Sequence, residues 1–399
     1  MEASDIFFKL SLMLVFAIIG FAASKRLKQP VSVGIIIMGI VLGPSILGLA
    51  DYDDIVAVIA QLGSIVLLFI AGLNSNIREI YTKRNLYVAF WGAVMPVAGG
   101  FAVGKLFGYD IMTSIFIGTT LTATCLGITS AVLKEIGKIR TETAKAMIGA
   151  AVIDDILSLS ILSIVIGIPN HTSPTSIILK LLLVLAFVLS MIFLGEKLLT
   201  RLVDRFNDIA IRHAPRLTFV FGLAIVFLFS YLAQLLGMAP IIGAFLAGVS
   251  LAGSRSINSL MAGSEYFEVV FTSIFFISIG IVVELGAFVE LFWFIIVLTV
   301  VAVLTKVLGS GIPAYRMGFK PRDALIVGVG MAPRGEVAFI IALNGMLIGL
   351  ISKDVYSAVV FMSFLTTVIT LVFLKMLYKS GSKEHDGHEV DFIDLRLNR

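Results

Sequence analysis

Apolar runs, each about as long as a lipid bilayer is thick, follow one another along almost the whole sequence with only short polar punctuation between them. A helical crossing needs about 20 largely apolar residues. Runs of that kind stand at roughly 5–25, 31–50, 55–76, 86–108, 111–134, 143–168 and 175–200, then at 215–236, 239–253, 264–284, 286–312, 322–350 and 354–378. The expectation is an all-α polytopic membrane protein with thirteen transmembrane helices, or twelve if a tight joint at Gly237–Pro240 or Glu284–Gly286 lies within one helix. Composition agrees, because only 14% of residues are charged and 59% are hydrophobic, whereas soluble proteins carry about 25% charged residues. With 399 residues, thirteen crossings leave no room for a sizeable soluble domain. The chain is therefore not expected to be an enzyme. The single cysteine, Cys125, excludes an internal disulfide and a cysteine metal cluster.

Lys and Arg collect at cytoplasmic connections, which gives an independent test of the crossing pattern. Of the thirty basic residues, twenty-four fall at every second connection or in the tail, among them Lys25, Arg84, Lys145, Arg201, Arg255, Arg322 and Lys379. Only Lys9, Lys105, Lys180 and Lys353 lie on the other side, together with acids such as Asp51, Asp53, Asp54, Asp110, Glu284 and Glu290. This places the amino terminus outside and the tail, 379–399, in the cytoplasm. The first run lacks a basic start and reads as a retained crossing rather than a signal peptide. Asn170-His171-Thr172 fits a glycosylation acceptor, a short pattern of little weight.

The halves repeat. Gly34, Gly39, Leu42 and Ser45 recur as Gly243, Gly248, Leu251 and Ser254, displaced by 209 residues and by seven crossings, so the second copy is inverted. Inverted repeats mark secondary transporters, whose sites lie at the midplane where discontinuous helices meet. The same step carries Thr124 and Cys125 onto Pro333 and Arg334. Both places look breakable: hydroxyls crowd Thr119 to Ser130 around Gly127, and Gly330 and Pro333 interrupt the later run. Unwound carbonyls with hydroxyls make hard-oxygen sites for small cations; alternatively, the threonines bond back to their own helix.

Five charged residues remain at membrane depth: Asp154, Asp155, Lys306, Arg334 and Glu336. Such residues are functional by default. Adjacent helical residues point about 100° apart, so one aspartate can take a fixed cation, for which Lys306 is the natural partner, while the other faces a water-filled path. Arg334 and Glu336, beside the second break, can pair or offset half-helix dipoles, a structural role rather than an ion-carrying one.

The segments PVSVGIIIMGIVLGPSILG (30–48), APIIGAFLAGVSL (239–251), FFISIG (275–280), Asp154-Asp155, Lys306 and MAPRGEVAF (331–339) resemble the second family of monovalent cation/proton antiporters over residues 5–378, in its two-aspartate sodium/proton type. The resemblance implies thirteen helices, a core around two crossed discontinuous helices at about 55–168 and 264–378, and a dimer-forming panel at about 5–50 and 175–253. It also implies that Asp155 is the main ion- and proton-binding carboxylate, that Asp154 and Thr124 belong to the same sodium-binding set, and that Asp154 pairs with Lys306. One departure is Gly72-Leu73-Asn74, where the family often has Gly-Leu-Glu, so a cytoplasmic acid is absent. The expected function is exchange of cytoplasmic Na+, or Li+, for external H+ across the plasma membrane, electrogenic if Lys306 also gives up its proton, and serving pH homeostasis. A K+/H+ antiporter of the same family and a sodium-coupled organic-anion symporter are the alternatives. A channel needs no protonatable midplane pair. Gly99 to Lys105 mimics a phosphate loop, yet Leu106 replaces the Ser or Thr that would hold magnesium. No cofactor and no nucleic-acid partner are expected; lipid, the two ions and a second copy of the chain are.

Overall fold

The computed structural model describes residues 3–27, 29–74, 82–125, 129–130, 132–133, 136–167, 182–183, 186–191, 195–210, 217–236 and 238–379. Fifteen helices are described, and no strand occurs among these residues. They are α1 (Ala3–Leu27), α2 (Val31–Leu42), α3 (Asp54–Leu73), α4 (Lys83–Leu106), α5 (Ile111–Thr120), α6 (Glu142–Gly167) and α7 (Glu196–Ala210). After them come α8 (Leu217–Leu235), α9 (Pro240–Leu251), α10 (Ile257–Val282), α11 (Gly286–Glu290), α12 (Phe292–Arg316), α13 (Pro321–Gly330), α14 (Glu336–Leu347) and α15 (Lys353–Lys379).

Helix starts are set by local chemistry. Asp53 caps α3 by accepting from the Val56 amide at 2.9 Å, Thr82 caps α4 through the Asn85 amide at 3.1 Å, and Asp110 caps α5 through the Met112 and Thr113 amides. Pro240 and Pro321 occupy first turns, where a missing N–H costs nothing. Gly108 and Gly318 reverse the chain after α4 and α12 with φ of 83° and 99°, a region that favours glycine.

The inverted repeat extends over whole helices. Moved by 209 residues, α2 becomes 240–251, the bounds of α9, and α4 becomes 292–315, against Phe292–Arg316 for α12. In the same way α1 answers to α8, α3 to α10, α5 to α13 and α6 to α15, while α7 joins the two copies.

Seven helices (α1, α3, α4, α6, α8, α12 and α15) are long and apolar enough to cross a membrane, and α10, bent by 50° near residue 265, would make an eighth. A count of thirteen needs more. It takes the short apolar helices α2 and α9 as crossings, continues α5 and α13 across their breaks into the next segment of chain, and adds the run at 175–200, most of which lies outside the described residues. The acceptor pattern at Asn170 and the tail from Ser380 also lie outside them.

Packing sorts the helices into two groups. In one, α2 lies on α10, α3 on α9 and α10, and α8 on α9; in the other, α4 lies on α12, α5 and α6, and α12 on α13 and α15. Backbones touch within the first group: a Cβ at Gly72 would fall 2.9 Å from the Gly248 Cα, and one at Gly39 would fall 2.9 Å from the Gly280 Cα. Small residues of this kind drive helix association in lipid. The division expected from sequence placed α3 and α10 with the α4–α6 unit; the packing sets α3 against α9 and α10 against α2. The physical reason is these glycine faces, which commit α3 and α10 to α9 and α2.

Candidate ion-binding site

Both broken helices stop short, and their unwound ends are bonded to each other. Helix α5 ends at Thr120 and α13 at Gly330, and the Cys125 amide donates to the Pro333 carbonyl at 2.9 Å, tying one unwound segment to the other. Pro333 offers no amide, and α14 resumes only at Glu336. Unpaired carbonyls in a buried place must find donors. Thr129 donates to Gly330 O at 2.6 Å and Thr124 to Met331 O at 3.2 Å, each from one break to the other.

The threonines divide between the two roles considered from sequence. Thr119, Thr120 and Thr122 bond back to Ile115, Ile117 and Thr119 carbonyls of their own turn, whereas Thr124 and Thr129 reach across.

Lys306 enters from α12 and is fully buried. Its Nζ donates to Gly92 O at 2.8 Å, to Thr122 O at 2.6 Å and to the Asp154 carboxylate at 2.9 and 2.7 Å. Gly92 also lets α12 approach, since a Cβ there would fall 2.6 Å from Ser310 Oγ. Asp154 also accepts from Thr124 Oγ1 at 2.7 Å. The Asp154–Lys306 pair is thus saturated, which a buried ion pair requires if it is not to destabilise the fold.

Asp155 stands differently. It is 8% exposed, and its buried Oδ1 has no hydrogen-bond donor. Facing another way on α6, it takes neither Lys306 nor Thr124 as a hydrogen-bond partner. A buried carboxylate oxygen without a donor is costly unless a proton or a cation fills the place. Among the described residues no three His, Cys, Asp or Glu side chains converge as for a resident metal.

Arg334 and Glu336 do not pair. The guanidinium donates to Ala123 O at 3.2 Å and Met331 O at 3.4 Å, in the two unwound segments, and to Ala302 O of α12 at 3.3 Å. Glu336 instead accepts from the Cys125 thiol at 2.9 Å. Sequence reasoning missed that thiol, and it missed Thr366 and Thr367, which hold the Arg334 backbone at 3.3 and 3.2 Å. The repeat could have pointed to them, because Ser158 moved by 209 residues is Thr367.

The chain is similar to known proteins over nearly its whole length. Residues 11–379 match the protein family described as "Sodium/hydrogen exchanger, transmembrane". The Na(+)/H(+)-K(+) antiporter GerN of Bacillus cereus is 34% identical over 383 residues, which is 95% of this chain and 97% of that one. The Na(+)/H(+) antiporter of Enterococcus hirae is 34% identical over 375 residues, 93% of this chain and 97% of that one. Among solved structures, the sodium proton antiporter MjNhaP1 from Methanocaldococcus jannaschii shares the fold, with a TM-score of 0.75 at 15% identity over 95% of this chain and 97% of that one.

Proposed function

The chain belongs to the sodium/hydrogen exchanger family, and we propose that it exchanges cytoplasmic sodium for external protons by alternating access, with Asp155 as the group for which the two ions compete. The observation that carries this reading is the contrast on α6: Asp154 is closed off by Lys306 and Thr124, while the neighbouring Asp155 keeps a buried oxygen with no donor. A proton or a sodium ion can satisfy that oxygen, but not both at once. Occupancy by either neutralises the buried charge, which lets the unit carrying it move.

The moving unit in this reading is α4–α6 with α12–α15, sliding on the glycine-locked group of α1–α3 and α8–α10, which would also form the homodimer. A cavity of about 390 Å³ between α3, α9 and α14, lined by Tyr52, Asp54, Gln61, Ser64 and Asn344, lies where these units face one another. It sits at the ends of α3 and α14 remote from the basic connections, which supports an outward path. The basic connections support a plasma-membrane protein with its tail inside. Sodium entering from the cytoplasm displaces the Asp155 proton, and Thr124 and the released carbonyls supply further oxygens. If the Asp154–Lys306 pair opens on sodium binding and Lys306 sheds its proton, two protons move per sodium and transport is electrogenic. The printed name of the Bacillus relative includes potassium, so K+ is the second ion to test.

Everted vesicles with an acid interior, challenged with Na+, Li+ and K+, test the reading. Proton efflux on adding sodium, absent in Asp155→Asn, is the expected result; no proton efflux with any of the three ions would overturn it.

A further inference from the structure

We propose that Cys125 is a positioning residue of the exchange site: its thiol holds the Glu336 carboxylate beside the break so that this second negative charge draws sodium to Asp155. The inference rests on the antiport reading and adds to it a residue and a role.

The thiol is held from several directions. Its backbone amide is fixed to Pro333 O, and Gly335 lies so close that a Cβ there would fall 2.5 Å from the Cys125 sulfur. The side chain is 3% exposed, and its Sγ–H donates to Glu336 Oε2 at 2.9 Å. Glu336 is the first residue of α14, where the helix dipole favours a negative charge. Among the described residues it joins no ion pair, and the nearby Arg334 spends its terminal nitrogens on backbone carbonyls. Its charge is therefore not cancelled on the spot. Helix α14 packs on α6, the helix that carries Asp155, and among the described residues no three His, Cys, Asp or Glu side chains converge to hold a metal. Acting from a distance, such a charge raises the local concentration of cations without contributing a ligand.

A thiol suits the task. A lysine or arginine at position 125 would cancel the charge, and an apolar residue would release the carboxylate from the break. A thiol donates one weak hydrogen bond, which orients the carboxylate and leaves its charge in place.

Purified protein in liposomes, with proton flux followed against sodium concentration at fixed pH, distinguishes this role from a packing role. Cys125→Ala is expected to raise the sodium concentration for half-maximal flux about three- to tenfold, the range for one lost hydrogen bond, with maximal flux within about twofold. Cys125→Ser should restore the parent value, since a hydroxyl reaches the same carboxylate. Glu336→Gln should shift the half-maximal concentration at least as far, and adding Cys125→Ala to it should cost nothing more, because both changes remove one effect. Parent-like behaviour of Cys125→Ala, or additive effects in the double variant, would overturn the proposal while leaving antiport standing. If the parent itself shows no sodium-dependent proton flux, both fall together.

Discussion

The two repeats have one backbone plan and opposite chemistry. Moved by 209 residues, Asp154 and Asp155 on α6 become Ser363 and Phe364 on α15, and Lys306 on α12 answers to Val97 on α4. Ser363 bonds back to Val359 O at 2.8 Å, an intrahelical contact, where Asp154 holds a lysine. The first break is neutral, made of Thr124 and Cys125; the second brings Arg334 and Glu336. The symmetric part makes the crossing and its two possible openings, and the asymmetric part makes one site instead of two. The repeated serines differ too. Ser45 donates to Val283 O at 2.6 Å at the end of α10, while its counterpart Ser254 donates to Asp204 of α7 at 2.6 Å.

The sharpest way to break this comparison is to exchange its poles. Asp155→Asn should lower sodium-driven proton flux more than about a hundredfold, because a carboxylate that trades a proton for a cation is lost. Phe364→Leu, the mirror position, should leave flux within about threefold. Equal losses at both would mean that α15 carries ions as α6 does.

Next in size is the ion pair. Lys306→Ala leaves the Asp154 charge buried and alone and should cost about 3–5 kcal/mol of stability, read by thermal melting in detergent; adding Asp154→Asn should recover much of it. A smaller loss, about 1–3 kcal/mol, is expected of Gly72→Ala, whose methyl would meet Phe245 O and Gly248. The same substitution at Gly286, where a Cβ would meet nothing within 4 Å, should be near neutral.

The smallest effect belongs to α7, which lies outside both repeats. Burial of Asp204 would raise its proton affinity, but bonds from Ser254, Ser256 and the 255–256 backbone outweigh it and hold the carboxyl below its ordinary 3.8. A depressed folded-state value stabilises above the unfolded value and loses that contribution as the pH falls through the folded one. The Asp204 contribution should therefore be complete at neutral pH and fade below about pH 4. Asp204→Asn should melt lower at pH 7 and show a shallower decline in acid; an unchanged acid slope would remove Asp204 from the account.

Much of this was readable in the chain because charges are scarce in it. The apolar runs and basic connections foretold helices and their order, and four spaced residues, Gly34 to Ser45, foretold a repeat that covers whole helices. That Lys306 pairs with one of the two aspartates could be read from the residues, since few other partners exist at that depth; the choice of Asp154 was implied only by the family resemblance, and Lys306 does lie against Asp154. What could not be read depends on close approach. Gly72 and Gly248 look like any other glycines until α3 lies on α9, so the close approach of these two helices has no signal in the sequence. Arg334 and Glu336, two residues apart, left pairing and dipole compensation both open; the unwound backbone turned the guanidinium to carbonyls and the carboxylate to a cysteine 211 positions earlier.

Competition at Asp155 is the central claim, and proton release from the purified, weakly buffered protein on adding sodium measures it most directly. Sodium should release protons from the parent, less of them as the pH is raised and the site empties of protons, and none from Asp155→Asn. Release of the same size from Asp155→Asn would contradict the account.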